Sequence, residues 1–381
     1  MSDAAFAQID QLKTNGPQAV LDGLIQQLEQ AGDLHKLFDA LLMKTKHEMG
    51  LSVLRPTSFD DVPEDKKEAF EEAYIAAARR VGEALLAAGN IPQAWMYLRT
   101  IREPQKIVAA IENLSPQGPV DEQVLEIALF QGIAPAKGVE LMLAAHGTCS
   151  TITALDQQMQ QLPAHDRRQC AAKMVARLYT DLRETLQGEV RKRQPMLPPG
   201  QSVKDLIAGR DWLFENENYH IDVSHLNAVV RMARALQPGD VELQQASQLA
   251  LYGSRLAPQY QYGGTPPFAE FYPAHRHFFR VLLDEDRTGG LQYFRDKLQT
   301  TSEDSERILT ALTLVDLYQR IGQNDAAVEL AREHLVTGAE EVGFSLGDLL
   351  LQSGRLDLYR DLARDKCDVV AYASAVVEQS G

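Results

Sequence analysis

Apolar residues recur along this chain every three or four positions, in block after block. Val20, Leu21, Leu24, Ile25 and Leu28 form one stripe, Gly32 ends it, and Leu34, Leu37, Phe38, Leu41 and Leu42 begin the next. Such spacing lines one face of a 3.6-residue helix, and a glycine just past the last stripe residue is a favoured terminator. The two stripes therefore predict a helical hairpin. After a proline-bearing loop over 54–65, a long alanine-rich helix is expected from about Lys66 to Gly89. A second, from Pro92, carries Ala94, Trp95, Leu98 and Ile101. Between Pro119 and Pro163 the pattern predicts three shorter helices, broken near Gly132–Pro135 and at His146–Ser150. The longest helix is expected over Asp166–Arg193, ending on three cations that suit a helix C-terminus.

Segment 194–201, QPMLPPGQ, holds three prolines and a glycine and cannot continue a helix. It divides the chain into an expected N-terminal helical lobe, 1–193, and a C-terminal lobe, 202–381. Ser202 with Asp205 matches an N-cap arrangement and opens a helix expected to include Trp212. Further helices are expected over Asp222–Leu236 and Val241–Leu256, then a helix pair around Asp284–Gly290 and two hairpins near Gly322 and Gly354. No segment sustains a period-two alternation bounded by hairpin turns, so the fold class is all-α.

One unit repeats. In Leu314–Leu335, Tyr318 is followed four residues on by Gly322 and five beyond that by Ala327, between apolar stripes. This resembles a tetratricopeptide repeat, with tyrosine late in the first helix, glycine at the turn and a small residue where the second helix crosses closely. Leu85, Gly89 and Ala94 keep the same spacing, so the resemblance is close over 81–101 and 314–335. Elsewhere Leu37 and Tyr359 stand where alanine is expected. Gly322 and Gly354 are 32 residues apart, near the roughly 34 of that family, whereas Gly32 and Gly89 are 57 apart. The resemblance implies an irregular α-solenoid of stacked antiparallel hairpins, and with it a scaffold that binds a protein or peptide partner on its concave surface.

Composition narrows the function classes. With 53 acidic against 38 basic residues the net charge is −15, which disfavours nucleic acid as a partner. Cys149, Cys170 and Cys367 form no CxxC pair, as fits a reducing cytoplasm. The polar N-terminus and the absence of roughly 18 to 20 consecutive apolar residues argue against export and against membrane insertion. No phosphate loop, dinucleotide fingerprint, zincin helix, nucleophile elbow or EF-hand sequence occurs, so no cofactor is expected.

The most individual chemistry lies between His220 and His277. Segment 257–273, APQYQYGGTPPFAEFYP, is long for a connection, as binding loops often are. Tyr260, Tyr262, Phe268 and Tyr272, flanked by Arg255 and Arg276, are the expected partner-binding residues, because aromatic and arginine anchors dominate such surfaces. The other reading is a satellite core of rings packed over the hairpin beneath. His220, Asp222 and His225 offer metal ligands or a base with its orienting partner, unless Asp222 or Ser224 is simply a helix cap. Together with His275, and His277 as a further metal ligand, they define the alternative function, an enzyme or small-ligand pocket. Residues two apart on a helix diverge by about 200°, which weakens a metal shared by His275 and His277. His146 and Cys149 suggest a thiol nucleophile, but a helix end with a glycine cap and a serine N-cap accounts for that string as well.

Overall fold

The computed structural model describes residues 3–335 and 343–380, and it is all-α. Among the described residues the only β-type pairing is an isolated bridge between Gly263 and Glu270. None of their helices is long and apolar enough to cross a membrane. The chain divides into two compact units, Met1–Gly147 and Thr148–Gly381.

The first unit holds α1 (Asp3–Leu12), α2 (Pro17–Ala31), α3 (Leu34–Glu48), α4 (Glu64–Ala87), α5 (Ile91–Thr100), α6 (Gln105–Glu112) and α7 (Glu122–Leu125). A π-turn over Glu126–Phe130 leads into α8 (Pro135–Gln158). The punctuation is chemical. Gly32 takes φ +66°, and the Asp33 carboxylate caps α3 by accepting the Lys36 N–H at 3.3 Å. Asn90 caps α5 in the same way, accepting from Gln93 N–H at 3.2 Å. Phe70, Leu42, Leu98 and Ile107 are fully buried in the shared core. Gly82 lets α4 approach α5, since a Cβ there would come within 2.8 Å of the Leu98 side chain. The loop 51–63 is tied down by Lys46, itself fully buried. Its Nζ donates to the carbonyls of Arg55 (2.6 Å) and Ser58 (2.8 Å) and to the Asp61 carboxylate (2.6 Å).

The expected break at His146–Ser150 is a sharp kink inside α8, where Gly147 adopts φ +76° and ψ −178°. The division between units falls at this kink rather than at 194–201. The second unit contains the rest of α8, then α9 (Ala164–Arg193), α10 (Val203–Ile207), α11 (Val223–Met232), α12 (Val241–Gly253) and α13 (Phe271–Leu282). It continues with α14 (Arg287–Thr300), α15 (Asp304–Arg320), α16 (Asn324–His334), α17 (Leu346–Gln352), α18 (Leu356–Asp365) and α19 (Val369–Ser380). Along α9, Cys170, Met174, Leu178, Leu182, Leu186 and Val190 repeat every four residues and are fully buried. They pack α9 against α10, α11 and α12, which is why the proline-rich stretch after it is a connection within one unit and not a boundary between lobes.

Ser202 and Asp205 form a reciprocal capping box at the start of α10. The helix does not reach Trp212, however. Ala208 turns extended and Gly209 takes φ +66°, so Trp212 lies in a separate 3₁₀ turn over Asp211–Glu217, with Arg193 over its ring at 4.1 Å. From α12 to α16 each helix packs on the next in sequence. In the α15–α16 hairpin, Gly322 takes φ +75° at the turn, while Tyr318 and Ala327 are buried on the two sides of it.

Candidate functional site

Three of the rings in the expected binding loop, Phe268, Phe271 and Tyr272, fold inward, while much of the rest of the segment stays exposed. Phe271 and Tyr272 begin α13 and are buried, and the Tyr272 ring lies so close to Gly253 that a Cβ there would sit 2.3 Å from it. Tyr260 meets the ring of Tyr219 edge-on at 5.2 Å. Arg255 pairs with Asp211 and covers the ring of Phe214 at 5.1 Å, so it is not aimed from the loop toward a ligand. Arg276 lies half-buried on α13, and of the loop's expected anchors only Tyr262 presents an exposed ring. The satellite-core reading therefore describes Phe268, Phe271 and Tyr272. Rings with few polar atoms gain more from burial than a solvated loop can offer.

The histidines do not assemble into one centre either. Asp222 is the N-cap of α11: its Oδ1 accepts the backbone N–H groups of Ser224 (2.8 Å) and His225 (3.2 Å) and the Ser224 hydroxyl (2.5 Å). These bonds hold its carboxyl below the usual range. His220 is buried, with its backbone N–H donating to the Tyr252 hydroxyl at 2.8 Å and its Nδ1 at 3.1 Å from the same oxygen. Burial lowers its pKa. His275 is 1% exposed in a cage of Phe268 and Phe271, whose ring centres lie 4.4 and 4.3 Å away. Its Nδ1 bonds the Phe271 carbonyl at 2.7 Å, and burial drives its pKa down to about 3. His277 instead stacks on Tyr293 at 4.4 Å. Among the described residues no three of His, Cys, Asp or Glu converge as metal ligands, so the His220, Asp222, His225, His275 and His277 set is not gathered around an ion. His146 lies 3.0 Å from Glu122, and Cys149, the thiol of the His146–Ser150 string, is exposed. The buried Cys170, outside that string, has its thiol pushed up to about 12 by burial.

A concave feature of the second unit with a mixed apolar and charged lining lies elsewhere. A cleft of about 800 Å³ opens between the end of α8, the start of α9, the end of α11 and the outer face of α15. Its apolar lining comes from Met159, Met232, Phe268, Phe278, Leu309 and Leu312. Its charged lining comprises Arg167, Arg231, Arg234 and Arg320, with Asp156 and Asp316. Four guanidinium groups in one cleft reverse the sign of a chain whose overall charge is −15.

Local structure positions these arginines. Arg231 and Arg234 lie three residues apart, where α11 passes into a 3₁₀ turn over Ala233–Ala235, so both point to one side. Arg231 reaches Asp156 on α8 at 2.7 Å. Arg320, at the end of α15, donates through Nε to Asp316 at 2.8 Å. A second guanidinium nitrogen donates to the carbonyls of Arg234 (2.6 Å) and Leu236 (2.8 Å), closing the free end of α11. Arg234 itself lies over the ring of Phe268 at 4.9 Å. Its single side-chain hydrogen bond among the described residues is a long one, from Nε to the Arg231 carbonyl at 3.4 Å. Burial lowers its pKa, and Arg231 and Arg320 reinforce the shift. Asp316 keeps 42% of its side chain open to the cleft, yet the surrounding protein raises its pKa above the ordinary carboxylate value.

Phe268 is thus the one residue of the expected binding set that lines the cleft, as the seat of Arg234. The arginines gave a weak sequence signal, since Arg167, the pair Arg231 and Arg234, and Arg320 lie far apart in the chain, on or just past amphipathic helices, and surface arginines at such positions are common. No family model, curated protein or solved structure is significantly similar to the chain.

Proposed function

We propose that this protein is an irregular tetratricopeptide-like α-solenoid that acts as a scaffold, holding a segment of a partner protein in the arginine-lined cleft of its second unit. The observation that carries the reading is Arg234. A guanidinium presents five donors in a fixed fork, and a half-buried one with a single long hydrogen bond leaves its terminal N–H groups for an incoming acceptor. Around it, Phe268, Phe278 and Met232 supply the apolar contact that anchors a side chain, and Arg231 and Arg320 are already held in place by Asp156 and Asp316. Pre-positioned anchors of this kind reduce the ordering cost of binding. The free cysteines Cys149, Cys170 and Cys367 agree with a cytoplasmic setting for that role.

A photoreactive amino acid at Leu309, which lines the cleft and is 39% exposed, tests the reading in the full-length chain. The expected product is a crosslink to one discrete polypeptide, lost when Arg234→Met is added and retained with Tyr262→Ala. Crosslinks that are diffuse, or indifferent to Arg234→Met, would remove the cleft as the partner site.

A further inference from the structure

Building on that reading of the cleft as the binding surface, we infer that its ligand is a phosphoryl group, a monoester dianion carried on an apolar or aromatic body. The argument begins with which charges are already balanced. Asp156 holds Arg231 at 2.7 Å and Asp316 holds Arg320 at 2.8 Å. Arg167 and Arg234 also line the cleft, and among the described residues neither is within ion-pair distance of a carboxylate. Two positive charges are left over in a concave site.

The depth of Arg234 matters as much as its charge. Its guanidinium lies over Phe268, near two other arginines, in surroundings that disfavour a cation. A cation kept there without a counter-ion costs free energy that an anionic ligand would offset. The fork geometry of arginine matches two oxygens of one carboxylate or one phosphate, so shape alone does not choose between them. Charge does. A single carboxylate neutralises one of the two surplus cations, whereas a phosphomonoester carries roughly −1.5 to −2 at neutral pH and presents three acceptor oxygens. The apolar half of the lining, with Phe278, Met159 and Leu312 beside Phe268, then calls for a body attached to the phosphoryl group and not for inorganic phosphate alone.

The test is calorimetric titration of the full-length chain with phenyl phosphate, inorganic phosphate, phenylacetate and benzylmalonate. Phenyl phosphate is expected to bind about tenfold or more tighter than inorganic phosphate, which lacks the body, and than phenylacetate, which lacks the second charge. Its affinity should fall about tenfold in Arg234→Met and several-fold in Arg167→Gln, and stay unchanged in Tyr262→Ala, with circular dichroism confirming the fold of each variant. Arg167→Gln keeps the test decisive should Arg234→Met fail to fold. Benzylmalonate binding as tightly as phenyl phosphate would overturn the phosphoryl assignment in favour of a dicarboxylate. Failure of every probe to bind at millimolar concentration would overturn it altogether. A crosslinked polypeptide at Leu309 with no affinity for phenyl phosphate would sink this inference and leave the partner-binding reading standing; phenyl phosphate binding with no crosslinked polypeptide would do the reverse.

Discussion

Arg234 lies over the ring of Phe268, 4.9 Å from its centre, so the long loop after α12 contributes to the cleft by supporting a cation. Replacing Phe268 with leucine keeps an apolar side chain but removes the π face. A cation–π contact of this kind contributes about 0.5–2 kcal/mol. Phe268→Leu should therefore weaken phenyl phosphate binding roughly 2- to 30-fold, and lower stability by about 1–3 kcal/mol through the vacated volume. Calorimetry and urea unfolding separate the two effects.

Arg320 joins α15 to the end of α11 by donating to the Arg234 and Leu236 carbonyls while pairing with Asp316. Arg320→Met strands two carbonyls and a carboxylate in the cleft wall. The expected loss is about 2–4 kcal/mol. Because the carbonyl of Arg234 itself is released, hydrogen exchange at 233–237 should quicken more than exchange in α9, which a general loss of stability would not produce.

His275 titrates against folding. Its pKa is down to about 3 in its aromatic cage, from an ordinary 6.5, with Arg234 and Arg231 adding to the effect. Between those values the unfolded chain binds a proton that the folded chain refuses. Stability from this group is thus complete above about pH 6.5 and is lost as pH falls toward 3. The loss should reach a few kcal/mol in order of magnitude. Buried His220 shifts in the same direction. Urea midpoints from about pH 7 to about pH 4 should decline more steeply in the wild type than in His275→Leu; equal slopes would show that His275 is not the group responsible.

Lys46 in the first unit makes three short bonds to the loop 51–63 from a fully buried position. In Lys46→Met the Arg55 and Ser58 carbonyls and the Asp61 carboxylate lose their donor at once. We expect about 2–4 kcal/mol of destabilisation and new proteolytic cleavage within 51–63. Cleavage confined to other loops would mean that Lys46 does not hold this one.

Gly253→Ala tests the inward fold of the aromatic loop, because the added methyl would sit 2.3 Å from the Tyr272 ring. Overpacking of this kind costs about 1–3 kcal/mol. A melting temperature equal to that of the wild type would show that Tyr272 is free to move, as a surface anchor would be.

Helices were legible in the sequence because their cause is local. The four-residue stripe of α9, the Ser202–Asp205 capping box, Gly32 past the end of α2 and Gly322 in its turn all act within a few residues of one another, so periodicity and cap chemistry identify them directly. Negative charge and the lack of a membrane-length apolar run were equally readable. What the sequence could not decide was which polar and aromatic residues meet across the fold. Arg167, Arg231, Arg234 and Arg320 come from α9, the end of α11 and the end of α15, and only the packing of those helices brings their guanidinium groups to one cleft. The sequence left Tyr272 open between a binding anchor and a ring of a satellite core, and His275 between a pocket and a structural role; the approach of α13 to Gly253 and of Phe268 to His275 places both in the core. Local hydrogen bonds and apolar periodicity act along the chain, whereas burial and charge pairing depend on neighbours far away in it, and those were decided by the tertiary structure alone.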